Sequence, residues 1–138
     1  MLERAAMTVL IADDDPDARD ILAQVLELML PGIRTFLAAD GLEALSIAAD
    51  VNPWAVILDL GMPRLGGVDA AHRLLARMGS ESPILIAISG DYKRLSEGYG
   101  VFDYSLRKPL DVHRLARYLS RAMVFPGERA AVSRFGRC

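Results

Sequence analysis

Cysteine is nearly missing from this sequence. Among its 138 residues there is one, Cys138 at the last position, which excludes an internal disulfide and a zinc site built from cysteines. No apolar run approaches the roughly 20 residues that a membrane-spanning helix requires. The first residues, MLERAAM, carry an acid and are not followed by the apolar segment of a signal peptide, so we expect none. We therefore expect a cytoplasmic protein without a membrane partner.

An excess of charge of one sign is also lacking. The formal net charge is -2, from 16 basic and 18 acidic residues, so the composition predicts no nucleic-acid partner. Internal repeats and low-complexity stretches are absent from the sequence. The length fits one domain, which we expect over residues 1–125, followed by a short, mobile, mildly basic tail over 126–138.

The sequence instead contains short apolar runs that alternate with amphipathic stretches. The runs predict five strands, at 8–12, 33–39, 54–58, 84–89 and 104–107. Helices are expected from Pro16 until Pro31-Gly32 ends the first one, from 42 to about 52, and over 68–78 and 111–123, with at most a brief one within 91–98. Strands alternating with helices favour a parallel sheet covered on both faces. The predicted fold class is α/β, a five-stranded doubly wound parallel sheet in the order 2-1-3-4-5.

Asp59 directly follows the third apolar run. The next residues include Gly61, Pro63, Gly66 and Gly67, which force the chain into a loop. Asp59 is therefore expected at the carboxyl end of a central strand, where open α/β sheets bind their ligands. Taken alone, an Asp in this position more often caps a loop than acts as a nucleophile or metal ligand, so its neighbours decide its role.

Other polar residues follow the neighbouring strands. Asp13 and Asp14 come after the first strand and face Asp59 in the predicted strand order, although an Asp-rich segment also suits a helix N-terminus. Carboxylates about 5 Å apart repel by roughly 3 kcal/mol, and oxygen ligands favour a hard cation such as Mg²⁺. Ser89 ends the fourth strand, and Lys108 directly follows the fifth. A hydroxyl and an ammonium beside a metal-bound carboxylate form an anion site suited to a phosphoryl group.

Four motifs occur in a fixed order between residues 8 and 123: IADDDPDAR, ILDLGMPRLGG, the Ser89-Gly90 pair and RKPL. In this combination the chain resembles the receiver domains of two-component response regulators, the family of the bacterial chemotaxis response regulator. No single motif is specific, but their combination is. The resemblance implies a flavodoxin-like fold, in agreement with the strand order expected above.

The resemblance also implies roles for individual residues. Asp59 would be the phosphoacceptor, and Ser89 and Lys108 would bind the phosphoryl group. The Lys108-Pro109 peptide bond is usually cis in the family. The ligands of Mg²⁺, or Mn²⁺, would be Asp13, Asp14, Asp59 and the backbone carbonyl of Gly61.

A receiver of this kind is expected to accept a phosphoryl group from a histidine kinase or a histidine phosphotransfer protein, in a Mg²⁺-dependent reaction. We expect a single-domain response regulator, monomeric or weakly dimeric, that signals through protein–protein contacts. Acetyl phosphate is an expected small donor. The chain is not expected to be an enzyme, beyond promoting its own phosphorylation and the hydrolysis of its aspartyl phosphate.

Departures from the family pattern leave an alternative open. The family usually has Tyr or Phe three residues before the lysine, where this chain has Ser105. The aromatic Tyr104 is one place earlier and is expected on the opposite face of the strand. The interval from Ser89 to Lys108 is short, and Gly66 stands where the family commonly has Asp. A pseudo-receiver scaffold that docks partners without phosphorylation is the alternative.

A third interpretation is an aspartate-nucleophile phosphohydrolase that acts on small molecules. Such enzymes typically have a second Asp two residues after the nucleophile, where it serves as acid and base. This chain has Gly61 in that position, which disfavours the interpretation.

Overall fold

Five strands and five helices alternate along the part of the chain that the computed structural model describes, residues 7–79 and 82–124. The strands are β1 (Thr8–Ala12), β2 (Arg34–Ala38), β3 (Ala55–Asp59), β4 (Ile84–Ser89) and β5 (Tyr104–Arg107). The helices are α1 (Pro16–Met29), α2 (Gly41–Val51), α3 (Gly67–Met78), α4 (Tyr92–Glu97) and α5 (Val112–Val124). These bounds lie close to the predicted ones. The predicted tail, 126–138, lies outside the described residues.

The strands form one sheet in the order β2-β1-β3-β4-β5, and every neighbouring pair is parallel. This confirms the predicted fold class and strand order. Every residue of β1, β3 and β4 is buried, as continuous apolar runs in the middle of a parallel sheet require. β2 and β5 form the two edges and are more exposed.

Helices cover both faces of the sheet, because successive strand side chains point to opposite sides. Val9 and Ile11 of β1 face a cluster that includes residues of α1 and α5. Leu10 and Ala12 face the other cluster, which includes residues of α2, α3 and α4. The sheet is thus buried on both sides, and its carboxyl edge is where the loops that follow the strands come together.

Aspartates that begin three of the helices lie near this edge. Asp15 accepts a hydrogen bond from the N–H of Asp17 and caps α1, with Pro16 at the first helical position. Asp40 caps α2 through the N–H of Glu43. Asp91 caps α4 through the N–H of Lys93. Within the described residues, no helix is both long and apolar enough to cross a membrane.

Candidate functional site

Three carboxylates meet at the carboxyl edge of the sheet. Ala12 of β1 pairs with Leu58 of β3. The residues that come next, Asp13 just after β1 and Asp59 at the end of β3, therefore lie at the same position along the edge. Asp14 follows directly. One carboxylate oxygen from each of the three residues lies within 4.8 Å of the others. The structure therefore brings together the three carboxylates that the sequence pattern grouped.

Lys108 reaches the same carboxylates from β5. Its Nζ donates to Oδ2 of Asp59 at 3.2 Å and lies 3.8 Å from Oδ2 of Asp13. The Lys108-Pro109 peptide bond is cis, as the resemblance implied. The backbone N–H of Lys108 donates to the carbonyl oxygen of Ser89 at 3.0 Å, which joins the ends of β4 and β5.

Both oxygens of the Asp59 carboxylate have hydrogen-bond partners. Oδ1 accepts from the backbone N–H of Gly61 at 3.0 Å, and Oδ2 accepts from Lys108. The side chain is also buried, with the whole residue 7% exposed. The carboxylate is thus held in one orientation at the end of β3.

The pKa values of Asp13 and Lys108 are shifted by burial and by the neighbouring charges. Burial raises the pKa of Asp13, the N–H of Asp15 opposes this, and the charge of Asp59 adds to the rise. Burial acts to lower the pKa of Lys108, but the charge and hydrogen bond of Asp59 outweigh it and the pKa is raised. One ammonium therefore offsets the charge of three carboxylates only in part.

Carboxylate oxygens are the donors that Mg²⁺ and Mn²⁺ prefer, and the grouped oxygens suit one hard cation. Lys108 contacts Asp59 and Asp13, so a divalent cation would supply the further positive charge that three neighbouring carboxylates can accommodate. The three aspartates therefore fit a divalent cation of this kind.

Ser89 ends β4 and is 3% exposed. Its Oγ accepts a hydrogen bond from the N–H of Asp91 at 3.0 Å, and Asp91 is the residue that caps α4. The hydroxyl beside the site is therefore connected directly to the start of α4.

Two arginines near the site were not found by reasoning from the sequence. Nη1 of Arg19 donates to the carbonyl oxygen of Asp13 at 3.1 Å. Arg94 of α4 lies over Gly61, where a Cβ built on the glycine would overlap its Nη1. The spacing of six residues from Asp13 offered a weak signal for Arg19 on the following helix. Nothing local indicated Arg94, because its place depends on how α4 packs.

The model of the response regulator receiver domain family matches residues 9–120. Among curated proteins, the chain is 30% identical over 117 residues to the regulatory protein AtoC of Escherichia coli, covering 83% of this chain and 25% of that protein. It is 40% identical over 83 residues to the response regulator MprA of Mycobacterium sp. (strain KMS), covering 60% of this chain and 35% of that protein. The chain thus spans a quarter to about a third of the length of these relatives.

Solved structures show the same likeness. The signal receiver domain of a DNA binding response regulator from Colwellia psychrerythraea 34H has a TM-score of 0.77 and 26% identity, covering 85% of this chain and 98% of that one. The chemotaxis protein CheY4 of Vibrio cholerae has a TM-score of 0.74 and 25% identity, also over 85% of this chain and 98% of that one.

Proposed function

We propose that this chain, which belongs to the response regulator receiver domain family, accepts a phosphoryl group on the side chain of Asp59. The observation that carries the proposal is the arrangement around this carboxylate. Asp13 and Asp14 supply carboxylate oxygens within 4.8 Å of an Asp59 oxygen, and Nζ of Lys108 is 3.2 Å from Oδ2. Family membership makes phosphoryl transfer the chemistry that this arrangement best supports.

The transfer joins a carboxylate oxygen of Asp59 to phosphorus while the bond from phosphorus to the donor breaks, and the donor leaves with that electron pair. Such a reaction needs positioning and charge stabilisation above all. The two hydrogen bonds to Asp59 supply the positioning. Lys108 supplies a positive charge that pairs with a phosphoryl oxygen once the group has arrived.

Asp13, Asp14 and Asp59, with the carbonyl oxygen of Gly61, would hold Mg²⁺ or Mn²⁺, which supplies positive charge beside the transferring group. Ser89 donates its hydroxyl hydrogen to a phosphoryl oxygen. The same hydroxyl oxygen accepts from the N–H of Asp91, so its reorientation acts on the start of α4.

The donor is a histidine kinase or a histidine phosphotransfer protein, and acetyl phosphate serves as a small substitute. We further propose that the chain works as a single-domain regulator without an enzymatic activity on other substrates. Its output passes through protein–protein contacts, and a monomer or weak dimer stays the prediction for its oligomeric state.

Intact mass spectrometry after incubation with acetyl phosphate and Mg²⁺ tests the proposal. The wild-type chain should gain one phosphoryl group, which is lost in base, and Asp59→Asn should gain none. Asp69→Asn, at an exposed position in α3, is the matched control and should react like the wild type. A phosphoryl group on Asp59→Asn at the normal rate would show that the assignment is wrong.

The scaffold alternative is favoured by the departures from the family pattern, above all by Ser105 where the family usually has an aromatic residue. It predicts that the wild-type chain gains no mass under these conditions, while its partner binding is unaffected by Asp59→Asn. The mass measurement therefore separates the two functions.

A further inference from the structure

We propose that Arg94 is a second phosphoryl-binding cation, which contacts a phosphoryl group on Asp59 from the side of Gly61 and thereby links it to α4. The inference rests on the proposed function, because it names a further residue for the same site. Lys108 approaches Asp59 from β5, whereas Arg94 comes from a different element and a different side.

The space beside Gly61 is where the guanidinium lies. A Cβ built on Gly61 would overlap Nη1 of Arg94, and the same Cβ position is 3.8 Å from Oδ1 of Asp59. The guanidinium therefore occupies the volume that a side chain at position 61 would fill. Oδ2, the other oxygen of Asp59, is the one that contacts Lys108. Lys108 thus contacts Oδ2, while the guanidinium of Arg94 lies beside Gly61, whose N–H binds Oδ1.

Arg94 forms only a long and exposed ion pair with Asp91. Its Nε is 3.6 Å from Oδ2 of Asp91, and the two side chains are 50% and 53% exposed. Exposed ion pairs of this kind add little stability. A phosphoryl group offers three acceptor oxygens and close to two negative charges, and it suits the planar fork of a guanidinium. The guanidinium therefore gains by turning from Asp91 toward the phosphoryl group.

Such a turn acts on the first residues of α4. Asp91 caps the helix by accepting from the N–H of Lys93 at 2.9 Å, and its own N–H donates to Oγ of Ser89 at 3.0 Å. Movement of Arg94 and reorientation of Ser89 both change contacts of this one residue. These contacts make the start of α4 the segment that we expect to respond to the phosphoryl group.

The competing explanation is that Arg94 is an ordinary solvated residue of a surface helix. In that case only its charge matters, and the exposed neighbour Lys93 should matter equally. Lys93→Ala is therefore the matched control, since it removes one positive charge from the same helix.

The test measures binding of beryllofluoride, a phosphoryl mimic, in the presence of Mg²⁺ by calorimetry. Arg94→Ala should weaken the affinity about fivefold or more, as expected for loss of a hydrogen-bonded charge pair, and Lys93→Ala by less than about twofold. Gly61→Ala should also weaken it, because the new methyl group displaces the guanidinium. Combined with Arg94→Ala, it should cause no further loss.

Nuclear magnetic resonance supplies a readout that a purely structural role would not change. The Nε–H signal of Arg94 and the amide signals of residues 91–100 should shift when beryllofluoride and Mg²⁺ are added. In Arg94→Ala the amide shifts of this segment should shrink, while those beside Asp59 persist.

Two results would overturn the inference in different ways. If the wild-type chain binds beryllofluoride but Arg94→Ala binds it like Lys93→Ala, with the Nε–H signal unmoved, Arg94 has no role at the site and the proposed function stands. If the wild-type chain neither binds beryllofluoride nor gains a phosphoryl group, the proposed function itself is wrong and the role of Arg94 fails with it.

Discussion

Neighbouring groups hold the carboxylate of Asp59 in one orientation. The N–H of Gly61 and the ammonium of Lys108 each bind one of its oxygens, so the proposed phosphoryl transfer would need little reorganisation of this side chain. The cost is a concentration of negative charge, since Asp13 and Asp14 lie beside it. At the scale of single residues, the site therefore concentrates negative charge around one oriented carboxylate.

The first prediction tests how this concentration of negative charge affects the free energy of unfolding. Asp13→Asn keeps the shape and the acceptor for the N–H of Asp15 but removes a like charge beside Asp59. We expect the free energy of unfolding of the metal-free protein to rise by on the order of 1 kcal/mol at neutral pH, because burial and repulsion from Asp59 disfavour the Asp13 carboxylate more than Lys108 stabilises it. Urea denaturation measures it, and the gain should shrink as Mg²⁺ is added.

The matched control is Asp20→Asn, which removes an acid from an exposed position of α1. Its effect should stay within about 0.5 kcal/mol. A stabilisation of Asp13→Asn that is absent, or that Mg²⁺ leaves unchanged, would show that repulsion among the three carboxylates does not limit the stability of the metal-free protein.

At the scale of elements, an ion pair and a hydrogen bond connect the loop after β3 to the start of α2. Asp40 caps α2 and forms an ion pair with Arg64 of that loop. The N–H of Gly41 donates to the carbonyl oxygen of Leu65 at 3.1 Å, and a side chain at Gly41 would overlap this oxygen. The conformation of the loop that follows Asp59 is therefore stabilised by contacts with α2, which lie outside the carboxylate cluster.

The second prediction concerns how the stability contributed by the Asp40 carboxylate depends on pH. The N–H of Glu43 and then Arg64 hold the pKa of Asp40 below the usual value of an aspartate side chain. A carboxyl whose pKa is lower in the folded state stabilises the protein above its unfolded pKa, and the contribution is lost as the pH falls through the folded pKa. Asp40→Asn keeps a capping side chain but should destabilise the protein at about pH 6.

Urea denaturation at about pH 6 and at low pH measures the difference between Asp40→Asn and the wild type. The difference should be greatest near pH 6 and should vanish once the carboxyl is protonated in both states. Asp50→Asn, exposed in the same helix, serves as the control and should not show this dependence. A difference that stays constant across the pH range would mean that the charge of Asp40 is irrelevant.

The edge strand β5 distributes its side chains between two helices. Tyr104 stacks on Tyr118 of α5, with ring centroids 4.2 Å apart and planes at 10°. Ser105 faces the other side of the strand, the side on which Arg107 lies over the ring of Tyr92 in α4, 5.6 Å from its centroid. The aromatic residue next to this face of β5 thus comes from α4 itself.

The third prediction is that Ser105→Tyr is tolerated. Ser105 is half-buried at the edge of the sheet, so a larger side chain can extend toward solvent, and the free energy of unfolding should change by less than about 1 kcal/mol. Ala87, its fully buried partner on β4, offers the contrast. Ala87→Leu should cost about 1–3 kcal/mol through overpacking. An equal loss from Ser105→Tyr would show that the space beside β5 has been filled by other groups.

At the scale of the whole molecule, the site exists only when the sheet is complete. Its carboxylates lie just after β1 and at the end of β3, and its ammonium follows β5, the last strand of the sheet in chain order. A ligand that needs all of these groups binds the folded state alone, and its binding therefore stabilises the entire fold.

The fourth prediction follows from this linkage. Mg²⁺ at about ten times its dissociation constant should raise the free energy of unfolding by about 1.4 kcal/mol, measured by urea denaturation with and without the ion. Asp14→Ala should abolish the rise, because it removes one of the three clustered carboxylates. Asp17→Ala, which removes an exposed acid in the first turn of α1, should retain it.

Much of the fold could be predicted from the sequence because strands and helices are indicated by patterns of neighbouring residues. The runs that became β1, β3 and β4 are apolar at nearly every position, which a strand buried on both faces requires. Since parallel strands place their carboxyl ends at one edge, the sequence by itself was enough to group Asp13, Asp59 and Lys108. Strand order and strand ends together determine that grouping.

Only the tertiary structure decided which groups surround those residues. Arg94 lies over Gly61, and Arg64 pairs with Asp40 across 24 residues of chain. Neither contact follows from periodicity or spacing, because each depends on the packing of a short helix or a glycine-rich loop against another element. A pattern in the sequence indicates which face of an element is buried. The direction of a long, exposed side chain is set by the charges and the space that the assembled fold brings to it.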